Sequence, residues 1–186
     1  MIITHNRERL INSIIYFSQN TKYCGKTKLM KLLYFLDFIH FRETGKSVTG
    51  LDYYAWKMGP VPKDLYEEID FMKPDMAKAI SITPSGSFSG IRALKKFDKK
   101  PFTPRQGRIL KELAEIFLEA KAAQMVEVTH LKKHPWDRTL KEKGEFQKID
   151  YLLAVDGSTG SLDIDDVVEF MEERAEMLNV FGTATG

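Results

Sequence analysis

The chain has 186 residues, a formal net charge of +2 and a single cysteine, Cys24. This length suits one domain over residues 1–186, and a chain of this size buries roughly 70% of its unfolded surface, enough for a core without disulfides or metals. A lone cysteine excludes an internal disulfide, which predicts a reduced, cytoplasmic protein. The longest apolar run is too short and too charged to span a membrane, and the N-terminus lacks the pattern of a signal peptide.

The N-terminal part of the chain predicts two helices. Residues 7–19 carry apolar side chains at helical spacing. Thr27 is a suitable N-cap for a second helix that runs to about Thr44, and Gly45 suits the left-handed position after its end. Two adjacent apolar stripes cover this second helix, so we predict that it is the buried, central helix. The stripes consist of Leu29, Leu32, Leu33, Leu36, Ile39 and His40, and of Met30, Tyr34, Phe38 and Phe41.

An aromatic segment and two proline-containing turns follow. Residues 51–58 are rich in aromatic side chains, which predicts a short strand. Gly59 and Pro60 then predict a turn. Pro62 suits the first turn of another helix, because its missing N–H is not needed there. That helix is expected to end at Pro74.

The middle of the chain predicts a hairpin and a capped helix. Two apolar runs between residues 80 and 97 flank a segment rich in glycine and serine, which is typical of a β-hairpin. Thr103, Pro104 and Gln106 suit the N-cap, N1 and N3 positions of a helix that runs to about residue 121.

Shorter elements complete the chain. We predict a helix over residues 122–133, one or two helical turns over 136–143, and weak strand character over 146–155. Residues 156–186 predict an acidic helix, capped by Asp165, and a frayed tail. The elements together predict a mainly α fold with a small β component (α+β), that is, a compact helical domain with a short β-sheet or hairpin.

Several uncommon motifs follow one another within residues 28–69. They are a K-L-x-K-L-L-Y helix, a T-G-K turn and an A-W-x-x-G-P-V segment, and Thr129-His130 with Pro135-Trp136 lies further on. This order of motifs, over roughly residues 7–140, resembles the Panacea (SocA-like) antitoxin domain. The resemblance implies an antitoxin that binds and neutralises a toxin protein; one branch of the family resembles a proteolytic adaptor.

Two segments carry opposite charge. Residues 91–108 contain seven basic side chains and one acidic side chain, whereas residues 162–178 contain seven acidic side chains and one basic. Such patches steer charged partners and can pair across a two-fold axis, so a homodimer is one expectation. The alternative is that both are solvated faces.

The rigid segment 57–63 is the best predicted surface for a partner protein. Its two prolines and glycine limit flexibility, which lowers the entropic cost of binding. Tyr53 and Trp56 fit either the core or an exposed interface, because interfaces are enriched in aromatic side chains. The predicted partner-binding residues are Tyr53, Trp56, Lys57, Met58, Pro60 and Lys63, and the basic Arg92, Lys95 and Lys96.

Motifs that resemble catalytic or metal sites are incomplete. Gly25-Lys26-Thr27 matches the end of a P-loop, but Asn20 stands where the first glycine is needed. His130 and His134 have a zinc-binding spacing without an apparent third ligand. Cys24 lacks an identified base. We therefore predict a protein that is not an enzyme and has no catalytic, cofactor-binding or metal-binding residues.

Three functions are weighed on these grounds. The expected one is an antitoxin that neutralises a cognate toxin by direct contact. A proteolytic adaptor that delivers the toxin to a protease is the first alternative. A DNA-binding transcriptional regulator is the second, because a helix pair followed by a basic hairpin superficially resembles a winged helix. Nucleic acid is not favoured, since the chain is only weakly basic.

Overall fold

Seven α-helices and two two-stranded antiparallel sheets make up the part of the chain that the computed structural model describes, residues 5–85, 88–158, 160–161, 169, 172, 173 and 176. The predicted, mainly helical α+β class is confirmed. Each helix of this described part is too short or too polar to span a lipid bilayer. The elements are α1 (Asn6–Asn20), α2 (Lys26–Thr44), β1 (Tyr54–Trp56), β2 (Gly59–Val61), α3 (Lys63–Glu68), α4 (Pro74–Ala77), β3 (Ile80–Ser85), β4 (Phe88–Ala93), α5 (Pro104–Ile116), α6 (Ala122–Thr129), α7 (Pro135–Lys143) and a 3₁₀ helix (Tyr151–Ala154).

Helix α2 forms the centre of the core, as predicted. Most of its apolar side chains are fully buried, and α1, α5, α6 and β2 pack around it. Each such burial stabilises the fold by roughly 1.5–3 kcal/mol. The helix ends at Gly45, whose φ of 68° is left-handed, as predicted. Its start differs from the prediction: Gly25 is the N-cap, and Thr27 lies within the first turn.

Strands β1 and β2 form a hairpin over residues 54–61, which we call the first hairpin. The predicted strand over 51–58 was too long, and the predicted turn at Gly59-Pro60 was wrong, because both residues lie in β2. The turn consists of Lys57 and Met58. Residues 146–149 pair with the other edge of β1, where the Phe146 N–H donates to the Ala55 carbonyl at 2.8 Å. This backbone pairing accounts for the weak strand pattern of that segment.

The helix predicted between the two prolines is shorter than expected. Pro62 is the N-cap of α3 rather than its first helical residue, and α3 ends at Glu68. Pro74 begins α4 rather than ending α3. Proline is well placed at a helix start, because the N–H that it lacks would have no hydrogen-bond acceptor within the helix there.

Strands β3 and β4 pair antiparallel, from Ile80 opposite Ala93 to Ser85 opposite Phe88, and we call this strand pair the second hairpin. It lies within the predicted range 80–97, but its second strand ends at Ala93, before the predicted residue 97. Helix α5 starts with the predicted capping box. The Gln106 N–H donates to Thr103 Oγ1 at 3.3 Å, and the Thr103 N–H donates to Gln106 Oε1 at 3.0 Å. These bonds satisfy two backbone donors at the helix start.

The C-terminal predictions are met in part. Helix α6 ends at Thr129, before the predicted residue 133, whereas α7 closely matches the helical turns predicted over 136–143 and is slightly longer. The predicted acidic helix and frayed tail lie mostly outside the described residues; the four described positions 169, 172, 173 and 176 are helical and exposed. A single domain over residues 1–186 stays a prediction.

Candidate protein-binding surface

The turn of the first hairpin depends on a glycine. Gly59 has a φ of 101°, a conformation that residues with a side chain rarely adopt. A Cβ atom at this position would lie 2.7 Å from Thr129 Oγ1 and 2.9 Å from Lys31 Nζ. Both the backbone conformation and the close approach of α2 and α6 therefore require glycine here.

A buried lysine supports the first hairpin from behind. Lys31 projects from α2 and is 1% exposed, and its Nζ donates to the Pro60 carbonyl at 2.9 Å. Burial lowers the pKa of Lys31 to about 7, because an ammonium group loses its hydration when it leaves water. The hairpin is thus tied to the central helix by a directional contact whose donor is only partly protonated near neutral pH.

The Thr129-His130 and Pro135-Trp136 motifs meet at the same place. The rings of His130 and Trp136 stack with centroids 3.9 Å apart, and Trp136 Nε1 donates to the Trp56 carbonyl at 2.9 Å. Burial, and next the charge of Lys31, lower the pKa of His130. His130 Nε2 is buried and has no hydrogen-bond partner within the described part of the chain. The stacked pair therefore holds β1 on its inner side.

Apolar side chains cover the outer side of the first hairpin. The Trp56 ring packs edge-on against Tyr66, 5.1 Å away, and against Phe146, 6.1 Å away. Met58 is 60% exposed and Phe146 is 64% exposed. Phe146 also has a φ of 64°, which is rare for a bulky side chain. We call Trp56, Lys57, Met58, Tyr66 and Phe146 the hairpin surface, since exposed apolar clusters are typical of protein interfaces.

The predicted residues of segment 57–63 divide between this surface and its support. Lys57, Met58 and Lys63 are exposed, and Trp56 is half-buried. Pro60 is buried, and its carbonyl accepts the hydrogen bond from Lys31. Pro60 therefore belongs to the support and not to the exposed face.

Tyr53 is fully buried, so it does not contribute to an exposed interface in this structure. Its hydroxyl donates to Asp37 Oδ2 at 2.7 Å. The same carboxylate accepts from Thr49 Oγ1 at 2.5 Å and from the N–H groups of Val48 and Thr49 at 2.7 and 2.8 Å. Burial raises the pKa of Asp37, and these donors oppose that rise. Asp37 thereby fixes the segment that leads into β1.

The predicted basic residues lie on a different element. Arg92 is an exposed residue of β4, and Lys95 and Lys96 are exposed just after that strand. The second hairpin shares no strand with the first. The structure therefore does not unite the nine predicted residues in one strand pair, and partner binding by the basic group stays a prediction.

A second buried lysine was also not anticipated. Lys28 is 0% exposed, and its Nζ donates to the carbonyls of Lys22, Phe117 and Ala120, each at 2.7 Å. These acceptors lie before α2 and just after α5, where backbone carbonyls lack helical partners. One helical turn separates Lys28 from Lys31, so the K-L-x-K motif places two lysine amino groups on backbone carbonyls.

The cysteine and lysine of the incomplete catalytic motifs are buried or ion-paired in the structure. Burial raises the pKa of the Cys24 thiol to about 11, which keeps it protonated at neutral pH. Lys26, the P-loop-like lysine, pairs with Asp70 at 2.9 Å and lies 3.5 Å from the centroid of the Tyr66 ring. Over the described part of the chain, no group of three or more His, Cys, Asp or Glu side chains is placed to hold a metal ion.

One family model matches the chain, over residues 29–137, and its description is "Antitoxin SocA-like, Panacea domain". No curated protein and no solved structure matches the chain. The matched region extends from the start of α2 to the start of α7, so it includes Lys31, Gly59 and the His130–Trp136 stack. The match covers more than half of the sequence and confirms the resemblance seen in the motifs. The chain belongs to the SocA-like antitoxin family and carries its Panacea domain.

Proposed function

We propose that this protein is an antitoxin that neutralises a cognate toxin protein by direct, stoichiometric contact through the hairpin surface. The observation that carries the proposal is an exposed apolar tip on a hairpin that buried groups hold in place. Met58 and Phe146 offer apolar area to a partner, while Lys31 and Trp136 fix the backbone behind them. A surface fixed before binding loses little conformational entropy in the complex. The family membership supports the toxin as the partner.

A cytoplasmic site of action belongs to the same proposal. The single cysteine has no partner for an internal disulfide, and its side chain is buried. A disulfide-free chain of this size is typical of a reducing compartment.

Co-expression tests the proposal. The wild-type chain is expected to restore growth to cells that express the toxic protein encoded beside its gene, and to form a stable complex with that protein in size-exclusion chromatography. The double variant Met58→Asp/Phe146→Asp is expected to lose rescue and to bind the toxin at least about tenfold more weakly, because central apolar contacts dominate interface affinity.

A matched control separates binding from folding. Ile116 lies at the end of α5 and is 70% exposed, so Ile116→Asp places the same charge on an exposed apolar position outside the hairpin surface. This variant is expected to rescue growth like the wild type. Both variants are expected to unfold within about 1 kcal/mol of the wild type, since exposed positions contribute little stability. A toxin complex that survives the double variant unchanged contradicts the hairpin surface as the interface.

Two measurements address the alternative functions. A toxin that disappears faster in cells that contain the chain, and only when a protease is present, favours the proteolytic adaptor over neutralisation by contact. A mobility shift of promoter DNA that weakens steeply with salt favours the DNA-binding regulator, with the exposed Arg92, Lys95 and Lys96 as candidate phosphate contacts.

A further inference from the structure

A cleft of about 520 Å³ lies between α2, the start of α7 and the 3₁₀ helix. It is separate from the hairpin surface, because no residue of that surface lines it. Its volume falls in the range of roughly 300–1,000 Å³ that is typical of ligand pockets.

The floor of the cleft is aromatic and already packed. Tyr34, Phe35, Phe38 and Ile39 line it from one side of α2. The Phe38 ring packs against Tyr34, with centroids 4.3 Å apart, and other rings behind the floor hold Phe35 and Phe38 in turn. An apolar side chain that enters the cleft would therefore meet a preformed surface and would bury its area without reorganising the core.

The rim of the cleft is basic. Arg42, Lys132, Lys133 and Arg138 line it, and Asp156 is the one carboxylate among the lining residues. Arg138 approaches Glu142, with Nε and Oε1 3.8 Å apart, but neither rim lysine forms an ion pair with a described residue. Like charges held close together repel one another, so this rim favours an acidic occupant.

Two features, one of a side chain and one of the backbone, indicate that the rim is a specific part of the fold. Arg42 Nε is buried, yet no described residue accepts a hydrogen bond from it, and such an unsatisfied buried donor is costly. Lys133 has a left-handed φ of 68°, and its N–H donates to Asp137 Oδ2 at 2.8 Å. The Asp137 carboxylate thus fixes the loop that carries the two rim lysines.

We propose that this cleft, which we call the basic cleft, binds an acidic segment of the partner toxin, with an apolar side chain on the aromatic floor and flanking carboxylates on the rim. The proposal rests on the proposed function for the identity of the partner, but it assigns a second contact outside the hairpin surface. Charge complementarity selects the occupant: four rim cations attract carboxylates, and the aromatic floor admits an apolar side chain between them.

Charge reversal in the full-length chain tests the proposal. The variant Lys133→Glu/Arg138→Glu is expected to bind the purified toxin at least about tenfold more weakly than the wild type in calorimetry at 50 mM salt, because like charges now face the acidic segment. The wild-type affinity is expected to fall as salt rises, and the variant should lose most of that dependence. The control Lys78→Glu/Lys99→Glu makes the same change in net charge at two exposed lysines that do not line the cleft, and its affinity should match that of the wild type within about twofold.

Synthetic 15-residue peptides that tile the toxin sequence identify the segment. The peptides that bind the wild type and not the reversed variant should carry net negative charge and at least one large apolar residue. Bound peptides that are neutral or basic overturn the proposal, as does equal toxin binding by the wild type and the reversed variant. If the wild type forms no toxin complex at all, the proposed function fails instead.

The chain's own acidic segment is tested as a competing occupant in the last experiment. A synthetic peptide of residues 162–178 has the same chemistry as the proposed occupant. If that peptide binds the wild type in a cleft-dependent manner while toxin binding is insensitive to the charge reversal, the occupant is the chain itself and the partner assignment is overturned.

Discussion

The two hairpins of this protein are held in place by different forces. Buried polar groups hold the first hairpin: Lys31 Nζ donates to the Pro60 carbonyl, and Trp136 Nε1 donates to the Trp56 carbonyl, both at 2.9 Å. Each of these bonds has a required direction, and a buried donor without its acceptor costs about 1–3 kcal/mol. The first hairpin therefore has one favourable position on the core.

Apolar side chains and backbone contacts hold the second hairpin. Ile80 and Ile91 are buried, and the Ile91 N–H donates to the Cys24 carbonyl at 2.8 Å. Apolar packing tolerates small shifts better than directional hydrogen bonds do. Buried polar side chains therefore position the hairpin that carries the proposed interface, whereas apolar packing and a backbone hydrogen bond hold the other.

The largest expected effect comes from removing the carboxylate beneath the first hairpin. Asp37→Ala leaves the Tyr53 hydroxyl and three donors of Val48 and Thr49 without their buried acceptor. We expect the free energy of unfolding to fall by about 3–5 kcal/mol in urea denaturation. Amide hydrogen exchange should show faster exchange over residues 48–56, with the second hairpin affected only through global unfolding.

The control for this change is an exposed carboxylate. Asp64 lies in the first turn of α3 and is exposed, so Asp64→Ala should cost less than about 1 kcal/mol. A loss of similar size in both variants would show that Asp37 does not have the anchoring role that its four hydrogen bonds indicate.

The next effect comes from adding one carbon atom to Gly59, the first residue of β2. Gly59→Ala introduces a Cβ at 2.7 Å from Thr129 Oγ1 in a residue with a φ of 101°. We expect a loss of about 2–3 kcal/mol in the free energy of unfolding, because both backbone strain and a steric overlap oppose the substitution. Thermal denaturation followed by circular dichroism measures it.

Gly107 provides an opposite control within a helix. It lies inside α5, and no atom lies within 4 Å of the position where its Cβ would be. Gly107→Ala should therefore stabilise the protein by about 0.5–1 kcal/mol, since alanine favours helix more than glycine does. If both glycine variants changed stability in the same direction, the close packing at Gly59 would not be the reason for its glycine.

Local rules were sufficient to predict many elements of this fold from the sequence. The capping box of Thr103 and Gln106 lies within four residues, and the Gly45 terminus of α2 is a local signal. The turn of the first hairpin was misplaced because Gly59-Pro60 is typical of a turn. Its actual place depends on the pairing of β1 with β2 and on the approach of Lys31, which no local pattern contains.

The candidate surface was predicted only where it is contiguous in the chain. Lys57, Met58 and Lys63 are exposed as expected, but Phe146 joins Trp56 from 90 positions away. The burial of Lys28, Lys31 and Asp37 was not predicted, because their hydrogen-bond partners belong to other elements. The sequence signal that could have identified these residues is their ionisable side chains, because a charged side chain inside a helix that is apolar on all sides must find a buried partner.

The smallest expected effect is a change in pH dependence at Lys31. Burial lowers the pKa of Lys31 to about 7 from its ordinary value of 10.5. Between these values the unfolded chain binds more protons than the folded chain, so this group makes the free energy of unfolding rise with pH. From pH 7 to pH 9 the rise is up to roughly 2 kcal/mol. Lys31→Met removes the titrating group and should therefore flatten the profile relative to the wild type.

The measurement is the difference between wild-type and variant unfolding free energies in urea at pH 7, 8 and 9. Groups such as Cys24, whose pKa burial raises to about 11, titrate alike in both proteins and cancel in that difference. Lys63→Met makes the same change at an exposed lysine, and its profile should run parallel to that of the wild type. A Lys31→Met profile that is also parallel would mean that Lys31 stays charged beneath the first hairpin. In that case a charged hydrogen bond to the Pro60 carbonyl would anchor the hairpin, and the two hairpins would differ even more than the neutral amine implies.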